Sequence, residues 1–274
     1  MRISLCNEVL SPLPFAAQCA FAAELGYDGL EIAPFTLSDD PLSLSAAERR
    51  VIRRAVEEAG LVVTGLHWLL VTPKGLSLTD PDPAVRRRTR ETMQGLCDLC
   101  ADLGGRYLVH GSPAQRRLPD RDIHAAKGYA LEAFRAAARA AEKAGVLYCL
   151  EPLSRHETNF VNTVGEAIGV AEGIASNAFR TMIDCSAAGL TETETVPELI
   201  ARWLPSGLIA HIQVNDPNRK GPGQGEMAFA PILDALKRGG YDGDLGVEPF
   251  IYDPDGPGAA AHAIRYLRDL LEPA

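Results

Sequence analysis

The chain contains no uninterrupted apolar run of about 18 residues, so it has no candidate transmembrane helix. Residues 1–8 lack the apolar core of a secretory signal and already have the pattern of a strand. Positive charge is scarce, because 27 Lys and Arg stand against 36 Asp and Glu and give a formal net charge of -9. Nucleic acids are bound mainly through Lys and Arg clusters. We therefore predict activity on a small molecule, with no nucleic-acid and no membrane partner.

The cysteines form no recognisable disulfide framework. All six are scattered through predicted strands and helices, so we predict reduced thiols in a cytoplasmic protein. Cys97 and Cys100 form a CxxC pair inside a predicted helix, but no second pair completes a zinc site. Ordinary burial on a helix face is the expected role of these two thiols.

Strand-like and helix-like segments alternate eight times, and a long segment at 68–83 is a candidate lid. A doubly wound open sheet is the alternative, but its glycine-rich dinucleotide fingerprint is absent after the first strand. We predict an α/β protein, a single (β/α)8 TIM barrel spanning residues 1–274. The predicted strands are 2–6, 28–32, 61–67, 107–110, 146–151, 180–184, 208–215 and 244–248; the predicted helices are 14–25, 45–59, a stretch after Pro83 that ends at Gly104, 122–144, 163–176, 196–203, 228–238 and 259–271.

Three of the predicted strands end in an acidic residue. Glu151 and Glu248 each precede a proline, and Asp184 ends the strand between them in the chain. The carboxyl ends of barrel strands meet at one mouth, so these side chains are expected to face one another. Carboxylates so close repel one another unless a cation lies among them. The pattern therefore predicts a divalent metal site.

A fourth metal ligand is expected from the seventh strand, where His211, Gln213 and Asn215 share one face. Gln213 lies at the depth of the three acids and His211 one layer deeper. We therefore prefer Gln213 as the ligand, with His211 as the alternative ligand or as a hydrogen-bonding neighbour behind it. An all-oxygen set favours Mg2+ or Mn2+, whereas a histidine ligand would favour Mn2+, Co2+ or Zn2+.

These residues lie in motifs that resemble a known family. The chain is similar to the xylose isomerase-like TIM-barrel superfamily of sugar (phosphate) isomerases and epimerases. The matching motifs are Gly29-Leu30-Glu31-Ile32, Leu150-Glu151-Pro152, Met182-Ile183-Asp184, His211-Ile212-Gln213, Asn215-Asp216-Pro217-Asn218-Arg219, Gly221-Pro222-Gly223-Gln224-Gly225-Glu226 and Val247-Glu248-Pro249.

Two branches of that superfamily resemble the chain best. Ketose 3-epimerases share its three acids and also Glu157 and Arg219, which match their substrate-binding positions, but usually have histidine where this chain has Gln213. Hydroxypyruvate isomerases resemble it in using a His-Ile-Gln strand with glutamine as metal ligand. Both branches usually carry a histidine at the position of Ala187. The resemblance also implies a homodimer or homotetramer.

The chemistry expected of such a site is the removal of a proton next to a carbonyl group. The metal would stabilise an enediolate, and Glu151 and Glu248 would form the acid/base pair on opposite faces of a ketose. Removal of the proton on one face and its return on the other gives epimerisation, whereas transfer of the proton between the two carbons on a single face gives aldose–ketose isomerisation. An inosose dehydratase-like lyase and, less favoured, an endonuclease IV-like repair enzyme are further alternatives.

Other candidate residues have a structural alternative beside the functional one. Glu157 and Arg219 are expected to bind substrate hydroxyls, or are plain loop charges. His67, His110 and Trp68 are expected to line the pocket, or to pack in the core. Glu31 is expected to hold one of these two histidines from behind by a hydrogen bond.

Overall fold

Eight parallel strands close into a barrel in the computed structural model, which describes residues 1–11 and 13–271. Each strand pairs with its neighbours in the chain, and β8 pairs with β1. This arrangement confirms the predicted (β/α)8 barrel. Pro12 and residues 272–274 lie outside the described residues, so the assignment of all of 1–274 to one domain stays a prediction. The strands are β1 Arg2–Cys6, β2 Gly29–Ile32, β3 Val62–Leu66, β4 Tyr107–His110, β5 Leu147–Leu150, β6 Phe179–Asp184, β7 Ile209–Val214 and β8 Asp244–Val247.

The α-helices surround the barrel. Ser45 caps α2 as predicted, since its Oγ accepts a hydrogen bond from Glu48 N while Glu48 Oε2 accepts one from Ser45 N at 2.8 Å. None of the helices in the described part of the chain combines the length and the apolar composition that a membrane-spanning helix needs. The helices are α1 Phe15–Leu25, α2 Ala46–Glu58, α3 Pro83–Leu103, α4 Ile123–Ala144, α5 Val164–Ile174, α6 Cys185–Thr191, α7 Val196–Trp203, α8 Phe229–Arg238 and α9 Gly256–Leu271.

The main differences from the predicted elements lie at their ends. Glu151 and Glu248 each follow the last residue of their strand, so placing them inside the strands was wrong by one residue. Helix α6 was not predicted, because it spans only seven residues and is too short for a helical period to be recognised. Helix α9 begins at Gly256, ahead of the predicted start at residue 259.

The segment 67–82 is an ordered loop rather than a detached lid. Leu69, Leu70, Leu76 and Leu78 are all buried in it. Leu78 N donates to Gln115 O at 2.7 Å, which ties the loop to the segment after β4. In this structure the predicted candidate lid is packed against the barrel, and its opening stays a prediction.

The interior of the barrel depends on close approach between a glycine and an aromatic ring. A Cβ atom on Gly65 of β3 would lie 2.5 Å from Tyr107 O and 2.6 Å from the Tyr107 ring. Because Gly65 has no Cβ, there is space for Tyr107 to stack on the His211 ring, with the ring centroids 4.3 Å apart. The glycine thus helps to place the side chains beneath the mouth.

We expect Gly65→Ala to lower the free energy of unfolding by about 1–3 kcal/mol, because the added methyl group overpacks the interior. Gly128→Ala is the matched control, since a Cβ there meets nothing within 4 Å and the residue lies in α4. That change should be neutral or stabilise by up to about 1 kcal/mol. Urea denaturation of both variants measures the difference, and equal stabilities would contradict the packing described.

Candidate active site

Three carboxylates converge at the carboxyl end of the barrel. One oxygen each of Glu151, Asp184 and Glu248 lies within 4.8 Å of the others. The three residues are almost fully buried, with exposed fractions of 6%, 4% and 5%. Charges so close in a buried place are costly unless protons or a cation are bound between them. The arrangement fits the predicted divalent metal site.

Asp184 is held by two hydrogen bonds. Its Oδ1 accepts from Ala187 N at 2.6 Å, and its Oδ2 accepts from Asn215 Nδ2 at 2.7 Å. Asn215 is fixed in turn, because its Oδ1 accepts from Ser186 N at 2.8 Å. Sequence reasoning gave Asn215 no role, although the period of two on the seventh strand had placed it on the same face as Gln213.

Gln213 lies beside Asp184 in the register of β6 and β7. Its Nε2 donates to Glu31 Oε1 at 2.9 Å, which fixes the orientation of the amide group. The other amide atom, Oε1, is buried and has no hydrogen-bond partner among the described residues. An orphaned buried acceptor beside three carboxylates fits a metal ligand.

Glu31 is the centre of a buried network beneath the mouth. Besides Gln213 it meets His211, whose Nε2 lies 2.9 Å from Glu31 Oε2, and Tyr107, whose hydroxyl donates to the same oxygen at 2.7 Å. Burial alone would raise the pKa of Glu31, but the charge and hydrogen bond of His211, with help from His67 and Tyr107, lower it to about 2. Glu31 therefore stays ionised and keeps accepting from Gln213.

His211 and Glu31, which were predicted to support the ligands from behind, have contacts that differ from those predicted. His211 does not bond directly to Gln213; Glu31 lies between them. The histidine nearest to Glu31 is His211, whose Nε2 lies 2.9 Å from Oε2, since His67 Nδ1 stands 4.0 Å away and His110 bonds elsewhere. Sequence alone could not show this, because the pairing depends on which inward residues share a layer of the barrel.

The two histidines expected to line the pocket have no exposed surface. His67 Nδ1 bonds Glu248 Oε1 at 2.9 Å, so this ring reaches the site only through Glu248. His110 bonds the Tyr148 hydroxyl at 2.7 Å and packs on Phe134 with ring centroids 5.4 Å apart. His110 is thus a hydrogen-bonded core histidine, the structural alternative considered for it.

Two adjoining cavities of about 220 and 210 Å³ open over the carboxylates. Glu157, Arg219 and Phe250 line both of them, and Trp68 lines one. The Arg219 guanidinium lies 4.6 Å from the centroid of the Phe250 ring. Glu157 Oε2 accepts from Ser154 Oγ at 2.8 Å. The predicted substrate-binding residues Glu157, Arg219 and Trp68 therefore surround the same space.

Burial governs the protonation of the acids. It raises the pKa of Glu248 to about 8, although the hydrogen bond from His67 works against it. It raises the pKa of Asp184 to about 6 against the pull of the Ala187 and Asn215 hydrogen bonds. Burial, and then the charges of Glu248 and Asp184, hold the pKa of Glu151 well above its usual range.

A buried arginine that sequence reasoning missed stands near Glu151. Arg116 has no exposed surface and donates to His110 O at 3.2 Å and to Val161 O at 3.3 Å. Its positive charge partly offsets the rise in the pKa of Glu151. Nothing in the sequence distinguishes Arg116 from the exposed arginines around it.

A family model described as the xylose isomerase-like TIM barrel matches residues 19–270. The match covers most of the chain, so the protein belongs to the xylose isomerase-like TIM-barrel family. The resemblance stated from the motifs is confirmed.

The relatives narrow the class of enzyme. The chain is 30% identical to an L-ribulose 3-epimerase of Mesorhizobium japonicum over 231 residues, 83% of this chain and 72% of that protein. It is 27% identical to a candidate hydroxypyruvate isomerase of Streptomyces coelicolor over 271 residues, 92% of this chain and 90% of that protein. A crystal structure of D-psicose 3-epimerase in the presence of D-fructose shares the fold, with a TM-score of 0.83, 21% identity and 99% of each chain covered. The protein is an enzyme of the isomerase and epimerase class.

We expect divalent metal affinity to weaken as the pH falls from about 8 to about 6, the two values to which burial raises the pKa of Glu248 and Asp184. Protons then compete for the carboxylates, so each displaced proton costs about tenfold in affinity per pH unit. Calorimetric titration of Mn2+ into chelator-treated protein at both pH values, in buffers of different ionisation enthalpy, measures the affinity and the protons released. Affinity independent of pH, with no proton release, would contradict the buried carboxylate site.

Proposed function

We propose that the protein is a divalent-metal-dependent sugar epimerase or isomerase that acts on a ketose by removing a proton next to the carbonyl group. The observation that carries the proposal is the convergence of Glu151, Asp184 and Glu248 within 4.8 Å at the floor of the mouth. The Mesorhizobium relative is an L-ribulose 3-epimerase, and L-ribulose is a ketose, which supports the substrate class.

The metal would be held by Glu151, Asp184, Gln213 and Glu248. Gln213 Oε1 is buried without a hydrogen-bond partner among the described residues. Gln213 also lies beside Asp184 in the register of β6 and β7, whereas His211 lies one layer deeper beside Met182. Both observations support the place of Gln213 in the set over His211. Three carboxylates and an amide oxygen favour Mn2+ or Mg2+, with Co2+ and Zn2+ as further candidates. When bound, such an ion makes a C–H next to a carbonyl more acidic by drawing electron density from that carbonyl.

Glu151 and Glu248 are the proposed acid/base pair. They follow different strands, β5 and β8, and both line the cavity in which substrate would lie. In the metal-free site burial raises the pKa values of both carboxyl groups. Glu248 has one oxygen fixed by His67 at 2.9 Å, which orients the carboxylate. One glutamate would remove the proton and the other would return it on the opposite face.

The walls of the cavity supply the proposed substrate contacts. Glu157 presents a carboxylate that Ser154 holds in place, and Arg219 presents donors beside the Phe250 ring. Trp68 packs edge-on against Phe250, with ring centroids 6.0 Å apart, and offers an apolar wall. A small polyhydroxy ketone has hydroxyls for the charged groups and C–H faces for the rings. A homodimer or homotetramer remains a prediction.

A second candidate function is isomerisation of a small keto acid such as hydroxypyruvate. Gln213 on the seventh strand favours this function. The Streptomyces relative also favours it, since the alignment covers 92% of the present chain. Arg219, in the wall of both cavities, offers a partner for a substrate carboxylate. The two candidates share the removal of a proton next to a carbonyl group and differ in the substrate and in where the proton is returned.

We expect proton NMR of a panel of ketoses, hydroxypyruvate and keto-inositols in D2O to show loss of one C–H signal with the Mn2+-loaded protein. Removal of an acid/base group should slow this exchange by about 10²- to 10⁴-fold in Glu248→Gln and in Glu151→Gln. The position that exchanges distinguishes a ketose from a keto-acid substrate, and elimination of water would identify a lyase.

Glu132→Gln is the matched control, because Glu132 is an exposed residue on the outer helix α4. It should exchange at the wild-type rate, and a metal-free sample should not exchange. Exchange at the wild-type rate in Glu248→Gln with metal bound would refute the acid/base assignment. Failure of every compound in the panel, with metal bound, would refute the substrate class.

A further inference from the structure

A second group of metal-ligating side chains lies next to the proposed site. Cys6 ends β1, Glu8 follows in the 3-10 turn Asn7–Leu10, and His67 follows β3. One ligand atom of each, together with one oxygen of Glu248, lies within 4.8 Å of the others. Cys6 and His67 have no exposed surface, and Glu8 is 7% exposed. The proposed function assigns no role to Cys6 or Glu8.

The Glu8 carboxylate is the unexplained member of this group. Both of its oxygens are buried, and neither has a hydrogen-bond partner among the described residues. Oε2 does lie 2.9 Å from His67 Nε2, but without the alignment of a hydrogen bond. Two ligands of one divalent ion, each about 2.1 Å from it, stand about 3.0 to 3.4 Å apart. The contact therefore has close to the spacing of neighbouring ligands on a common ion.

The other ring nitrogen of His67 strengthens this interpretation. Nδ1 bonds Glu248 Oε1 at 2.9 Å, so Nε2 is left to face Glu8. A histidine that binds a metal through one nitrogen usually has its other nitrogen held by a carboxylate or a carbonyl group. Glu248 is in the position of that carboxylate. The imidazole ring would then lie between this group and the proposed metal site at Glu151, Asp184, Gln213 and Glu248.

We propose that Cys6 Sγ, a Glu8 oxygen and His67 Nε2 bind a second divalent cation, with a further position open to water. A thiolate, an imidazole and a carboxylate form a ligand set that favours Zn2+, Co2+ or Fe2+ over Mg2+. The cation would neutralise the Glu8 carboxylate, which otherwise lacks a fully satisfied partner.

Cobalt is the probe, because a thiolate bound to Co2+ gives a near-ultraviolet sulfur-to-metal charge-transfer band that an all-oxygen site lacks. We expect chelator-treated protein to take up about two Co2+ per chain, with that band present. Cys6→Ser should abolish the band, and Glu8→Gln should weaken binding at this site by at least about tenfold. Cys19→Ser, a change at another buried cysteine, should keep the band.

Glu151→Gln separates this proposal from the proposed function, since it removes a ligand of the other site only. The charge-transfer band should survive in that variant while about one Co2+ per chain is lost. Circular dichroism of each variant checks that the fold is kept, and Cys6→Ala serves as a second variant if Cys6→Ser fails to fold. Uptake of about one Co2+ with no charge-transfer band would overturn the proposal.

Discussion

Repulsion between buried carboxylates is the constraint on which the site depends. Closing the barrel brings Glu151, Asp184 and Glu248 within 4.8 Å of one another, and none is more than 6% exposed. Their neighbours engage some oxygens and leave others free: Asn215 and Ala187 bond Asp184, and His67 bonds one oxygen of Glu248. Carboxylates so closely spaced and so deeply buried suit a cation better than a hydrogen-bonded core.

The orientation of the Gln213 side chain follows from the network beneath it. Glu31 is ionised and accepts from Tyr107 and from Gln213 Nε2. A donor is therefore required on that side of residue 213, and the amide meets the requirement while turning its oxygen the other way. His211 lies one layer deeper, with its Nε2 2.9 Å from Glu31 Oε2, and its ring stacks on the Tyr107 ring. The layer beneath the mouth thus fixes the amide orientation, with Nε2 of Gln213 on Glu31 and Oε1 on the other side.

Much of the fold and of the candidate site could be predicted from the sequence, because it depends on residue patterns within single elements. The limits of β1 and β4 and the capping box at Ser45 follow from apolar runs, glycines and caps. The convergence of Glu151, Asp184 and Glu248 follows from the barrel itself, since all its strands point to one mouth. Gly65, in contrast, was not recognised, because its importance depends on Tyr107 of the neighbouring strand.

Other features depend on contacts between elements far apart in the chain. Arg116 resembles its exposed neighbours in sequence and is buried near Glu151 only in the fold. Nothing local indicates that Glu8 meets His67, because 3.6-residue and 2-residue periods describe one element at a time. For the same reason, the sequence could not predict which residues His110 and Glu31 contact.

The most direct test of the central claim is anomalous diffraction from crystals grown with Mn2+. The account predicts a peak bounded by oxygens of Glu151, Asp184 and Glu248 and by Oε1 of Gln213, each at about 2.0–2.2 Å. His211 should remain on Glu31. Absence of manganese from this position, or coordination through His211 in place of Gln213, would contradict it.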